Sequence, residues 1–195
     1  MRNSITPLPG GRLRKEYRGT LAWKREITLL RQMAGSGLCP ELLDAPLRQA
    51  EMTECPGVPL GECVRTASRQ EAREMMAALA AWTDAFEREY HRRTGQTAVL
   101  EDLSPGNFLW DAASRKITGL DFEFWHTGSP AENRGGLLCM AERLKAAEIT
   151  GEELTGELYR QFRGGSDRAE LEHRAARARQ QTALRQRAMP LIRQT

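Results

Sequence analysis

Asp102 and Asn107 stand five residues apart in the run Asp102-Leu103-Ser104-Pro105-Gly106-Asn107, and Asp121-Phe122-Glu123 begins fourteen residues after Asn107. Between them lie two short apolar runs, 107–110 and 117–120, on either side of the polar stretch 111–116. That pattern predicts a hairpin with its turn at 111–116. Such a hairpin returns Asp121 to the side of Asn107 at its open end. An aspartate, an amide oxygen and a second aspartate gathered at one place suit Mg²⁺, a hard cation that takes oxygen ligands and shares them with substrate phosphates.

Periodicity orders the rest of the chain. A strand is predicted over Arg12–Tyr17, then a helix over Ala22–Ala34 with Trp23, Ile27, Leu30 and Ala34 on one face. Gly35-Ser36-Gly37 ends that helix, and two strands, Glu41–Ala45 and Arg48–Thr53, join at Pro46. Cys55-Pro56-Gly57 breaks the pattern and divides a small sheet-plus-helix region, residues 1–55, from residues 56–195. The second region is predicted to be mainly helical. It holds a long helix over Glu71–Arg93 with a buried stripe of Met75, Leu79, Trp82 and Phe86, and a short strand over Thr97–Leu100. Helices over Glu132–Ala147 and Glu152–Phe162 and a basic one from Asp167 to about Met189 follow the hairpin.

Composition narrows the class. A chain of 195 residues has room for one good core or two small lobes. Its net charge of +3 is too mild to imply nucleic acid. Cys39, Cys55, Cys63 and Cys139 form no C-x-x-C pair or Cys/His cluster, which argues against zinc and fits a reducing compartment. No signal peptide is visible, and the longest uncharged apolar stretch, Met75–Trp82, is far too short to span a bilayer. A soluble cytoplasmic protein is the expectation. The C-terminal helix carries Arg168, Arg174, Arg177, Arg179, Arg185 and Arg187, a charge that could meet RNA, an acidic partner or an anionic lipid. Interspersed Glu170 and Glu172 and the lack of aromatics favour a solvated face instead. No Ser-His-Asp or G-x-S-x-G arrangement supports a hydrolase.

The residues singled out first resemble the catalytic core of the protein-kinase-like superfamily, H-R-D-L-x-x-x-N followed by D-F-G. Here the runs are Leu100-Glu101-Asp102-Leu103-Ser104-Pro105-Gly106-Asn107 and Leu120-Asp121-Phe122-Glu123. The Ser-Pro-Gly-Asn ending is most similar to the small-molecule branch, the aminoglycoside and choline kinases. The short length is similar to that of the compact Rio and lipopolysaccharide kinase relatives. The resemblance implies an α+β, two-lobed protein-kinase-like fold with a truncated N-lobe and a mainly helical C-lobe. It implies ATP and Mg²⁺ as cofactors and transfer of the γ-phosphate to a hydroxyl of a small molecule the sequence does not identify. Asp102 becomes the base or orienting group, and Asn107 and Asp121 the metal ligands. Lys15, held by Glu26 eleven residues on, grips the nucleotide phosphates. Lys24 competes poorly, since it lies on the same helix as Glu26 and two residues from it. Glu51, Met52 and Thr53 lie in the segment similar to the hinge, where main chain meets the adenine.

Several departures bear on activity. Leu100 replaces the family His, and Glu101 sets a second carboxylate beside Asp102. No glycine-rich loop precedes Lys15; Gly10-Gly11 fits a turn between two strands, so the first strand and the phosphate-covering loop read as truncated. Glu123 stands where D-F-G has Gly, and no A-P-E segment follows. His126, just after Asp121, is placed to line a substrate cleft; His91 and His173 read as surface or packing residues. The competing implication is a weak or inactive pseudokinase that serves as a binding or regulatory module. An RNA-associated factor using the basic helix stands third.

Overall fold

The computed structural model describes residues 3–162 and 168–192, without the side chains from 184 on. In chain order the elements are β1 (Ser4–Leu8), β2 (Arg12–Glu16), α1 (Thr20–Gln32), β3 (Leu42–Asp44), β4 (Gln49–Thr53), β5 (Val58–Pro59), α2 (Leu60–Thr66), α3 (Arg69–Thr94), β6 (Ala98–Leu100), β7 (Phe108–Asp111), β8 (Lys116–Gly119), β9 (Trp125–Thr127), α4 (Pro130–Ala141), α5 (Gly151–Phe162) and α6 (Arg168–Ile192).

The first four strands form one antiparallel sheet in the order β1-β2-β4-β3. Alternation along β2 turns Lys15 inward, opposite Ala50 of β4, whose small side chain leaves the ammonium room. On α1, helical spacing sends Glu26, Ile27, Leu29 and Leu30 to the buried side. The Trp23 indole N–H donates to Gln49 O at 2.9 Å and ties α1 to the sheet. The strand expected at Arg12 is preceded by one other, β1, paired with β2 along its whole length, so Lys15 lies on the second strand where the family pattern has it on the third, and the N-lobe is one strand short. The residues of β1 are almost all exposed, and backbone pairing rather than burial holds it. Pro9-Gly10-Gly11 makes the turn, with both glycines at positive φ.

After residue 57 the fold is built around α3. Ser68 and Glu71 form a capping box at its start, and Gly95 ends it in the left-handed conformation. Trp82, Phe86 and Tyr90 follow one another at four-residue spacing along its buried side. Phe86 stacks on Trp82 at 5.0 Å and on Phe122 at 5.8 Å, so the helix carries the residue next to Asp121. The expected hairpin forms as β7–β8, with Asp111 paired to Lys116. It is not the only strand structure here: β5 pairs with β7, and β6 pairs with β9. The helix expected over 132–147 starts at Pro130, behind a Ser129–Glu132 capping box, and stops at Ala141. At Gly151 an added Cβ would lie 2.3 Å from Glu142 O, so α5 begins directly against the end of α4 and the intervening residues turn the chain back. No helix among the described residues is long and apolar enough to cross a membrane.

Candidate functional site

Lys15 gathers three carboxylates. Its Nζ lies 2.7 Å from Glu26 Oε2, 2.6 Å from Asp121 Oδ1 and 2.7 Å from Glu123 Oε1. The Lys15, Glu26 and Glu123 side chains are less than a tenth exposed, whereas Asp121 is 42% exposed and faces outward. Glu26 uses its other oxygen to accept the Phe122 N–H at 3.1 Å, fixing α1 to the Asp121 segment. Asn3 donates its side-chain amide to Glu123. Lys24, the competitor, is exposed.

Electrostatics follow from that packing. Burial by itself lowers the Lys15 pKa, but the charges of Glu26 and Asp121 outweigh it and hold the ammonium well above its ordinary value. Glu123 moves the other way from most salt-bridged acids. Burial pushes it up, Lys15 offsets part of that, and the neighbouring Asp121 charge adds to the rise. With one cation among three acids, the cluster has an excess of negative charge when all are ionised.

The hairpin delivers Asp121 as the sequence predicts. Leu120 N–H donates to Asn107 O at 2.8 Å, closing the open end of β7–β8 one residue before Asp121. Gly119 permits this, because an added Cβ would lie 2.3 Å from Trp82 Cζ2. Asp121 itself has φ 59°, a left-handed backbone that aspartate tolerates better than most residues. Asn107 donates its side-chain N–H to Asp102 O at 3.0 Å, which folds the 102–107 loop onto itself and leaves its amide oxygen as the remaining acceptor. Among the described Asp, Glu, His and Cys residues, Glu26, Asp121 and Glu123 bring ligand atoms within 4.8 Å of one another.

Asp102 is exposed, and it lines a cavity of about 640 Å³ between the loop, β9, α4 and α6. The Glu101 carboxylate is 3.2 Å from His126 Nδ1, and His126 Nε2 is 3.6 Å from Glu132. Two residues unmarked by any motif position the loop. Asn133 of α4, buried, accepts the Leu100 N–H at 2.8 Å and donates to Ala98 O at 2.9 Å, standing in for a neighbouring strand beside β6. Glu87 of α3 accepts a second N–H from Asn133 at 3.1 Å. Burial pushes Glu87 up to about 7, against the opposing pull of Asn133 and Arg134.

Glu51, Met52 and Thr53 sit in β4 between β2 and β3, and their backbone pairs with both neighbours. Glu51 forms an ion pair with Arg14 at 2.6 Å, Met52 is buried, and Thr53 exchanges bonds with Glu41. After Glu54, whose N–H donates to Gly11 O, the chain leaves the sheet.

No protein-family model and no curated protein matches the chain. Solved structures do. The gentamicin complex of APH(2″)-IIa superposes with a TM-score of 0.66 at 10% identity, over 89% of this chain and 77% of that one. The streptomycin–ATP ternary complex of APH(2″)-IIa gives 0.62 at 11% identity, over 91% and 83%. The ADP-bound aminoglycoside phosphotransferase APH(2″)-Ib gives 0.60 at 11% identity, over 89% and 81%. The fold is protein-kinase-like. At this identity the likeness is one of fold alone.

Proposed function

We propose that the protein transfers the γ-phosphoryl group of Mg²⁺-bound ATP to a hydroxyl of a small molecule. The observation that supports this most is the meeting of Lys15 and Asp121, 106 residues apart, at 2.6 Å. In this reading Lys15 neutralises nucleotide phosphate, and Glu26 holds it in place. The oxygen donors Asp121 and Asn107 fit Mg²⁺, which would supply charge neutralisation on the phosphates. The lobes divide at 55/56, and the end of β4, Glu51–Thr53, edges the place of the adenine. Asp102 accepts the proton of the acceptor hydroxyl as that oxygen bonds to the γ-phosphorus and the bond from phosphorus to the ADP oxygen breaks. The cavity beside Asp102 takes the acceptor. Positioning and charge carry most of the rate in such transfers.

One observation favours the alternative, a nucleotide- or partner-binding module without turnover. Lys15 is already satisfied by three carboxylates, and the tight turn at Pro9-Gly10-Gly11 has few N–H groups to cover a phosphate chain. The two readings separate on ADP release from Mg·ATP, measured over a panel of hydroxyl compounds with wild type and Asp102→Asn. Turnover that Asp102→Asn abolishes supports the transferase. Nucleotide binding without turnover on any compound supports the module.

A further inference from the structure

The wall of the acceptor cavity opposite Asp102 is built from α4 and α6, and two adjacent glycines make it. At Gly135 an added Cβ would lie 2.5 Å from Arg174 Cβ, so α6 rests directly on α4 there. At Gly136 it would lie 2.4 Å from Leu103 Cδ1, so the Asp102 loop reaches the same helix one residue later. The face of α6 brought in by this contact carries Arg174 and Arg177 at i, i+3 spacing, and Arg143 stands just past the end of α4. Over its described side chains the basic helix therefore is not one solvated face; Arg185 and Arg187 lie outside them. Arg168 and Arg179 are tied to Glu172 and Glu142, while Arg174 and Arg177 line the cavity.

The arginines in the cavity are poorly neutralised. Arg177 and Arg143 have no carboxylate partner among the described residues; Arg143 uses only its Nε, on Cys139 O at 3.1 Å. Arg174 has carboxylates no nearer than 3.7 Å and 3.8 Å, and its buried Nε has no acceptor. On the other side, Glu101 lies beside His126 and Glu132 lies between His126 and Arg174, which leaves Asp102 as the lining carboxylate without a side-chain partner. A cationic acceptor would meet the Arg143 and Arg177 guanidinium groups, which no described carboxylate pairs. An anionic one would meet planar donors matched to a phosphate or carboxylate.

We infer that the acceptor carries an anionic group, a phosphate monoester or a carboxylate, that Arg143, Arg174 and Arg177 hold while its hydroxyl faces Asp102. This rests on the phosphotransferase reading for the hydroxyl end and on the arginines alone for the anionic end. The transfer itself is unchanged.

The test is a calorimetric titration of the full chain with inorganic phosphate, glucose 6-phosphate, glucuronate, glucose and glucosamine, without nucleotide, followed by ADP release from Mg·ATP with each. Anionic members are expected to bind at least about tenfold more tightly than glucose, and glucosamine no more tightly than glucose. Phosphate against glucuronate distinguishes the two anion chemistries. Arg177→Gln, at an exposed position, should weaken the anions at least about tenfold with its melting temperature retained; Arg174→Gln is the second variant. The inference is overturned if no anion binds, if glucosamine binds most tightly, or if Arg177→Gln and Arg174→Gln both bind anions like wild type. Anion binding without ADP release on any member sinks the phosphotransferase reading and leaves the anion site standing. ADP release driven by glucosamine and not by the anions does the reverse.

Discussion

The charged surroundings of Lys15 and of Asp102 are opposites. Around Lys15 every charge is buried or paired, and three carboxylates share one ammonium. Around Asp102 the carboxylate is exposed, and the arginines across the cavity lack close acidic partners. The first holds the fold together, and in the proposed function it exchanges partners to admit phosphate. The second contributes little to the fold and is free for a ligand. The same residue types thus serve structure on one side and availability on the other, and burial decides which.

Lys15→Met tests this contrast with the largest expected effect. It strands three acids without their cation, two of them buried, and should cost about 3–5 kcal/mol in denaturant unfolding. A loss under about 1 kcal/mol would mean the cluster is not a structural unit. Asp102→Asn is its counterpart. Stability should stay within about 0.5 kcal/mol of wild type, while turnover falls by about 10²–10⁴-fold. A variant that melts early would place Asp102 in the fold rather than at its working surface.

Much of this contrast was legible in the sequence, and the reasons it was not wholly so are physical. Asn107 and Asp121 are readable because the hairpin returns one beside the other, and Lys15, Glu26 and Asp102 because the motif around them resembles the kinase-like core. Glu123 carries no such sign. Its position after Phe122 says nothing of a buried bond to Lys15, which depends on how α1 and β2 approach from a hundred residues away. β5, β9 and α2 are too short to show a period, and β1 is held by backbone pairing that leaves no side-chain pattern. Asn133, Gly135 and Gly136 matter because helices press against β6, α6 and the loop, contacts that no local pattern encodes. The Ser68 and Ser129 capping boxes were available as signals and would have set both helix starts.

Glu87 extends the comparison to the supports behind the loop. Its folded pKa of about 7 lies above the ordinary 4.5, so the folded state binds the proton more tightly than the unfolded state between those values. Stability should therefore fall as pH rises from about 4.5 to about 7, by roughly 3 kcal/mol in total. Glu87→Gln should flatten that slope in urea melts at several pH values. An unchanged slope would show that another group titrates.

Asn133→Ala should cost about 1–3 kcal/mol, because it leaves the Leu100 N–H and the Ala98 carbonyl without partners. Its turnover loss should exceed what the stability loss explains, since β6 leads directly into the loop; equal losses would make it a packing residue only. The smallest effect belongs to Glu123→Gln, which keeps the shape of the cluster and removes one negative charge. Nucleotide affinity should rise about fivefold, the equivalent of ~1 kcal/mol. A fall would make Glu123 a contributor to nucleotide binding rather than a competitor for Lys15.

The division of labour between the two surroundings is tested most directly by calorimetric titration of Mg·ATP into wild type, Asp102→Asn and Asp121→Asn under one set of conditions. The account predicts that wild type and Asp102→Asn bind with the same affinity, because Asp102 serves the acceptor, and that Asp121→Asn binds at least about tenfold more weakly, because it serves the metal and the phosphates. No binding to wild type at millimolar nucleotide, or equal binding to wild type and Asp121→Asn, would contradict it.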